Sequence, residues 1–247
     1  ITVDYDQREL TLTKDSAQTR GVVVPIGHSG IPTVSAELDG VTGHFGLDLG
    51  ARSALLLYTP FVEKNGLREK YRAAFDTITG WGIGGPVRSQ VARAKVLKIG
   101  GVEVHDPVIR LSTQKAGLTT SSHLDGLIGP DVFRQFRTTF DYRNDRVIFA
   151  KGPQFGKRDT YDRLGAWMGQ NGDNFKILDV APGSPAEKAG LQKGDLVLEI
   201  DGKRTSSLLL PDARERMRTL PVGTAVQFKV HRGQEKMEIT AKLRDLV

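Results

Sequence analysis

The chain has 247 residues and 38% apolar content, enough to fill the core of one large domain or two ordinary ones, so a folded chain is expected. Its 35 basic and 29 acidic residues leave a formal charge of +6, but the basic ones are scattered and form no stripe that would track a phosphate backbone, which argues against nucleic acid. The absence of cysteine excludes a disulfide scaffold, a thiolate nucleophile and cysteine-bound zinc, and no apolar run reaches the roughly 18 residues that span a bilayer.

No signal-peptide pattern opens the chain, and ITVDYDQRELTL already reads as strand, so the sequence is expected to start inside a longer precursor. Strand-like runs follow through residue 150: GVVVPI (21–26), IPTVSAELD (31–39), HFGLDL (44–49), PVRSQVARAKVLKI (86–99), VEVHDPVIRL (102–111) and TTFDYRNDRVIFA (138–150). Several alternate apolar and polar residues, and LDG (38–40) and IGG (99–101) mark hairpin turns between them. Helical pattern is confined to TPFVEKNGL (59–67), ending at glycine, and PDVFRQF (130–136), opened by Pro and Asp. ITVDYDQRELTLT (1–13) repeats TTFDYRNDRVIFA in outline, aligning Asp4-Tyr5 with Asp141-Tyr142. As a true repeat it makes residues 1–17 the closing strands of an upstream lobe and 18–150 a complete lobe.

Composition changes at KGPQFGKRDTYD, and 151–160 reads as a linker. The 161–247 domain offers strands FKILDVA (175–181), DLVLEID (195–201), AVQFKVH (225–231) and KMEITAKL (236–243). Between the first two lies a short helix with Ser184 as cap, Pro185 in the first turn, Glu187 three residues beyond the cap and Gly190 as the left-handed stop. PDARERMRTL (211–220) is a second helix whose apolar face joins Leu210, Ala213, Met217 and Leu220.

The chemistry centres on FGLDLGARS (45–53). Asp48 sits among Phe45, Leu47 and Leu49, where a lone ionised carboxylate is costly unless hydrogen-bonded or sharing a proton. Two carboxylates flanking a water can act as base and acid without a metal. The segment resembles the Asp-Thr/Ser-Gly-Ala signature of pepsin-like and retropepsin-like aspartic proteases through Asp48, Gly50, Ala51 and Ser53, and DGLIGPDVF (125–133) resembles their later hydrophobic-hydrophobic-glycine element through Leu127, Ile128 and Gly129. The resemblance implies a mainly β chain with a retropepsin-like β-barrel lobe. It also implies an Asp dyad with Asp48 as one member, and a substrate-covering flap in GWGIGGP (80–86) at Trp81, Gly82, Ile83 and Gly84. Leu49 departs from the pattern, since it lacks the hydroxyl that locks paired aspartate loops. The second acid would come from a missing N-terminal lobe or a homodimer partner; without one, the chain would be a degenerate peptide-binding adaptor.

LGAWM (164–168) and APGSPAEKAGLQKGDLVLEIDGK (181–203) resemble PDZ domains attached to bacterial proteases. The resemblance implies a β-barrel with two helices and a groove between LGAWM and PDARERMRTL. In it the amides of Leu164, Gly165 and Ala166 would hold a peptide's terminal carboxylate, with Arg163 favouring that charge and Trp167 as core or pocket wall. His28, His44, His105, His123 and His231 are dispersed without a metal-pair spacing, so no metal or cofactor is expected, and no GxSxG elbow supports a serine nucleophile. The expected function is aspartic-type peptide-bond hydrolysis with a PDZ module binding peptide C-termini, acting on peptide or protein substrates in the bacterial periplasm or envelope, the location by family analogy.

Overall fold

The computed structural model describes residues 1–15, 20–28, 30–82 and 84–247. The chain divides into two units, Ile1–Ala73 with Gly82–Asp159, and Ala74–Trp81 with Thr160–Val247.

In the first unit the strands are β1 (Thr2–Asp4), β2 (Glu9–Thr11), β3 (Val22–Pro25), β4 (Gly27–His28), β5 (Pro32–Leu38), β6 (Val41–Leu47) and β7 (Leu55–Leu57), followed by helices α1 (Thr59–Lys64) and α2 (Leu67–Tyr71). After β8 (Phe75–Gly82) come β9 (Gly85–Arg93), β10 (Val96–Ile99), β11 (Val102–His105), β12 (Val108–Ser112) and β13 (Gly126–Ile128), then α3 (Pro130–Phe133), β14 (Phe136–Asp141) and β15 (Arg146–Lys151). The turn residues act as the sequence suggests. Asp39 and Gly40 join β5 to β6 with φ of 47° and 86°, the doubly left-handed geometry of a tight hairpin turn. The helical stretch from Thr59 breaks at left-handed Gly66 and restarts as α2.

The two Asp-Tyr segments form neighbouring hairpins, and β1 pairs antiparallel with β14 in a sheet ordered β2-β1-β14-β15-β3. The likeness extends into the turns. Asp4 Oδ1 accepts the amides of Asp6 and Gln7, Asp141 Oδ2 accepts from Asn144 Nδ2 and Arg146 Nε, and the residue four places on is left-handed in both, Arg8 and Asp145. The larger sheet runs β11-β10-β5-β6-β13-β7-β12-β9, with β4 on β5. Its core draws on Leu38, Phe45, Leu55, Leu57, Leu97, Ile109, Leu111, Ile128 and Phe133, all essentially inaccessible. The polar stretch after β15 is pinned to this unit. Gly152 donates to Gln135 O, Phe155 packs on Phe136, and Asp159 Oδ2 accepts the Val108 amide at 2.9 Å.

The second unit holds β16 (Ala166–Asn171), β17 (Asn174–Val180), α4 (Pro185–Ala189), β18 (Leu196–Ile200), β19 (Lys203–Arg204), α5 (Leu210–Thr219), β20 (Ala225–Arg232) and β21 (Glu235–Lys242). Its sheet is ordered β16-β17-β18-β20-β21, with β19 on β18. Helix α4 is bounded by its sequence: Ser184 Oγ accepts the Glu187 amide, Glu187 Oε2 accepts the Gly183 amide, and Gly190 ends the helix at φ 89°. On α5, Ala213 and Met217 are buried and Leu210 and Leu220 pack beside them. Part of β8 belongs here: Thr77 Oγ1 and the Ile78 amide both donate to Asp179 Oδ2 at 2.8 Å, and Phe75 packs against Tyr161.

This architecture corrects the barrels expected from the sequence. Among the described residues the sheets are open, each ending in edge strands, and the chain is a sheet-dominated mixture of strands and helices with a separate PDZ-like unit. Alternating strands and glycine turns specify hairpins, but closure depends on which distant edges meet, and that leaves no periodic mark in the sequence.

Candidate functional site

Each unit carries an aspartate at the head of a glycine loop. In the first, β13 inserts between β6, to which it runs parallel, and β7, to which it runs antiparallel. The strand holds the Asp48 loop at both ends: the Asp48 amide donates to Ile128 O at 2.9 Å, and the Gly129 amide donates to Ala54 O at 3.0 Å. The fit demands glycine, since a Cβ on Gly126 would lie 2.2 Å from Leu56 O and one on Gly129 2.2 Å from Ser53 O and 3.0 Å from Ala51 Cβ. The Asp48 loop, with Gly50, Ala51 and Ser53, is thus held against Leu127, Ile128 and Gly129 on and after β13.

The Asp48 carboxylate accepts the Gly50 amide at 2.8 Å, an Asx turn across two residues, and no described hydrogen bond or ion pair joins it to another acid. Leu49 is 37% exposed. Tyr58, which the sequence did not single out, is buried just after β7 with its hydroxyl unpartnered among the described residues. Burial, and then the charge of Asp48, push that phenol up to about 12. Of the flap residues, Trp81 is 59% exposed near the end of β8, Gly82 closes that strand and Gly84 precedes β9; Ile83 lies outside the described residues.

In the second unit the loop is Asp162 to Ala166, at the head of edge strand β16. It is anchored from the inside. Leu164 O accepts the Ala186 amide at the start of α4, Gly165 O accepts the Ala181 amide, and the Arg163 amide donates to Met217 O. Gly165 has φ 75°, and a Cβ there would lie 2.3 Å from Ser184 Cβ. Because Gly165 O bonds toward the Ala181 side, the alternation of the ladder turns the Ala166 amide to the open edge.

The Asp162 carboxylate accepts the Leu164 amide at 2.9 Å, an Asx turn leading into the strand. Burial pushes the Asp162 carboxyl up to about 6, against the opposing pull of the backbone at Leu164, Gly165 and Ala166 and of the Arg214 charge. Arg214 stands on α5, its guanidinium 4.5 Å from the Trp167 ring centre, and donates to Met168 O through Nε at 3.1 Å and through Nη2. Trp167 is half-buried. Arg163 is turned away: its guanidinium donates to Arg218 O and Leu220 O at the end of α5 and pairs with Asp245, leaving the side chain 14% exposed.

Asp162 and Arg214 were not singled out from the sequence. The first had a signal, an aspartate two residues before Leu164 at Asx-turn spacing; the second is one of three arginines in RERMR, and only the packing of Ala213 and Met217 decides which meets β16.

An edge strand beside a helix, headed by a tight glycine loop, is the layout of a peptide-binding module. Residues 162–243 match the PDZ domain family, one third of the chain. Among curated proteins the chain is similar to the putative serine protease HhoB of Synechocystis sp., 39% identical over 59 residues, which are 24% of this chain and 14% of that protein. It is also similar to the serine protease HTRA1 of Xenopus tropicalis, 33% identical over 78 residues, which are 31% of this chain and 16% of that protein. The chain thus spans about a sixth of these relatives. Among solved structures, a retropepsin-like aspartic protease from Rickettsia conorii aligns at 18% identity and TM-score 0.37, covering 56% of this chain and 96% of that one.

The serine-protease relatives overturn the aspartic-protease resemblance and the dyad mechanism drawn from it. The physical reason is visible at Asp48. An Asp-x-Gly loop is favoured as an Asx turn whatever its chemistry, Leu49 supplies no locking hydroxyl, and the carboxylate is engaged by Gly50. No described hydrogen bond joins a histidine ring to a serine hydroxyl. His28 pairs with Asp145 at 2.8 Å and His105 approaches Glu103 at 3.7 Å. Among the described residues no group of three or more acids and histidines could hold a metal, and no helix is long and apolar enough to cross a membrane.

Proposed function

We propose that this chain captures extended peptide segments in the groove between β16 and α5, as the recognition part of a proteolytic protein. The observation that carries the reading is the position of β16, an edge strand with the amide loop 164–166 at its head and α5 alongside. A peptide adds to such an edge by main-chain pairing, and side-chain choice falls to the walls. Ala166 and Met168 on β16 and Ala213 and Met217 on α5 pack together in the unit's core, which fixes the strand and helix that flank the groove. The proteolytic setting rests on the relatives' names, and the proposed location is the bacterial envelope or periplasm.

The test is amide chemical-shift mapping with an apolar peptide. Micromolar binding is expected, with shifts concentrated at residues 164–170 and on α5. Shifts scattered elsewhere, or none at millimolar peptide, would sink the reading.

A further inference from the structure

The two Asp-Tyr hairpins match residue for residue. In the first, Thr2, Val3 and Asp4 face Thr11, Leu10 and Glu9; in the second, Thr139, Phe140 and Asp141 face Ile148, Val147 and Arg146, each position 137 residues further on. Where the hairpins meet, Thr2 lies opposite Thr139, its own counterpart, and the two hydroxyls bond at 2.9 Å. Equivalent residues face each other across an antiparallel pair only where a local two-fold axis passes between them. The five-stranded sheet is therefore built about an internal dyad, with β1 and β14 at its centre.

That symmetry is one strand short. Outside β14 the sheet runs on through β15 to β3, whose Val24 lies opposite Val147 and Val22 opposite Phe149. Outside β1 it ends at β2 among the described residues. The side chains register the difference: Val147 and Phe149 are 0% and 1% exposed, whereas their counterparts Leu10 and Leu12 are 63% and 71% exposed. The strands do too, since β15 runs for six residues and β2 stops after three.

We propose that the free edge of β2 is the seat of a sixth strand, supplied by a second lobe built on the plan of residues 18–150 and closed by the β1–β2 hairpin as β14–β15 closes that one. The incoming strand is the counterpart of β3. It runs antiparallel to β2, sets apolar side chains opposite Leu10 and Leu12, and brings a core behind them, as Val24, Val147 and Phe149 join the core of the lobe described above. A further copy of this chain fits the edge less well. Its β3 already pairs with its own β15, so only the outer side of that strand could reach β2 of the next copy, a head-to-tail contact that propagates instead of closing. Pairing β2 with β2 closes a dimer but adds only another three-residue strand with no core behind it.

The chain has no cysteine, so one introduced thiol reports one position. Leu10→Cys, Leu12→Cys and, as a control at an exposed residue of the second unit, Val222→Cys are made both in the 247-residue chain and in the complete product of its gene, and labelling by a maleimide is timed. In the 247-residue chain, positions 10 and 12 are expected to label as fast as the control. In the complete product they should label about tenfold more slowly or less, because a thiol beneath a paired strand reacts only when the edge opens, while the control keeps its rate. Hydrogen exchange over residues 9–12 makes the same comparison without any substitution, and there too the complete product should be the slower. Equal rates in the two proteins, or a gene product with no second lobe, overturn the proposal. So does slow labelling of the 247-residue chain that quickens on dilution and accompanies a dimer in sedimentation, since the edge then belongs to a second copy.

Discussion

Asp48 and Asp162 begin with the same local structure and end as different groups. Each accepts the amide two residues on, Gly50 at 2.8 Å and Leu164 at 2.9 Å. The first loop is clamped from behind by β13, which fixes its backbone without adding donors to the carboxylate. The second loop is pinned through the Leu164 and Gly165 carbonyls, which accept the Ala186 and Ala181 amides, and burial pushes its aspartate up to about 6. An Asx turn is therefore no evidence of a chemical role by itself. What such a turn can do depends on what the surrounding fold adds to it.

The largest effect is expected from breaking the support of the first loop. Gly129→Ala places a methyl group 2.2 Å from Ser53 O, a backbone atom held between β13 and the Asp48 loop, so the strand must shift. About 3 kcal/mol of stability should be lost. Denaturant unfolding read by probes in each unit separately is expected to show an earlier transition in the first unit, with the second unit's groove still able to bind peptide. An unchanged midpoint would mean the clamp is slack.

A pH titration sharpens the contrast, because acids in the two units respond in opposite directions. Asp162 holds its proton up to about 6 in the folded chain, against an ordinary 3.8, so protons favour the folded second unit. That contribution, on the order of 2 kcal/mol, is fully present below pH 3.8 and is lost as the pH rises through about 6. Asp141 in the first unit is lowered, chiefly by the Asn144 side chain and also by Arg146. Its contribution is present above the ordinary 3.8 and disappears as the pH falls through its lower folded value. Stability curves from pH 3 to 7 should show this, and Asp162→Asn should flatten the second unit's slope between about pH 4 and 6. A slope that survives that substitution assigns it to another group.

Much of the fold was legible because turns and caps are local. Asp39-Gly40, Gly66, Ser184 with Glu187, and Gly190 each do what their residue types dictate. The Asp-Tyr repeat was also visible, and its two hairpins prove to be sheet neighbours. Sheet closure was misread, because partners distant in sequence decide it. The assignment of Ala74–Trp81 to the second unit left no trace either, since FDTITGW is an ordinary strand until Asp179 receives Thr77 and Ile78. At the sites, sequence located both glycine loops but singled out Asp48 alone. Asp48 stood out against its apolar neighbours, whereas Asp162 looked like part of a polar linker, and only folding buries it at the head of β16.

The smallest expected effect is at Asp48 itself. Asp48→Asn keeps an oxygen in place to accept the Gly50 amide, so the turn survives and stability should change by less than about 0.5 kcal/mol. The change should still be felt at Tyr58, which Asp48 helps to hold in its neutral form. With the charge gone, the phenol's titration should move down from about 12, yet stay well above its ordinary 10.0, because burial is the larger cause. Absorbance of the ionised phenol, compared between wild type and variant under conditions where both remain folded, reads this directly. A fall all the way to 10.0 would make the Asp48 charge the controlling influence on Tyr58, and the first loop would then be an electrostatic device rather than a turn backed by a strand.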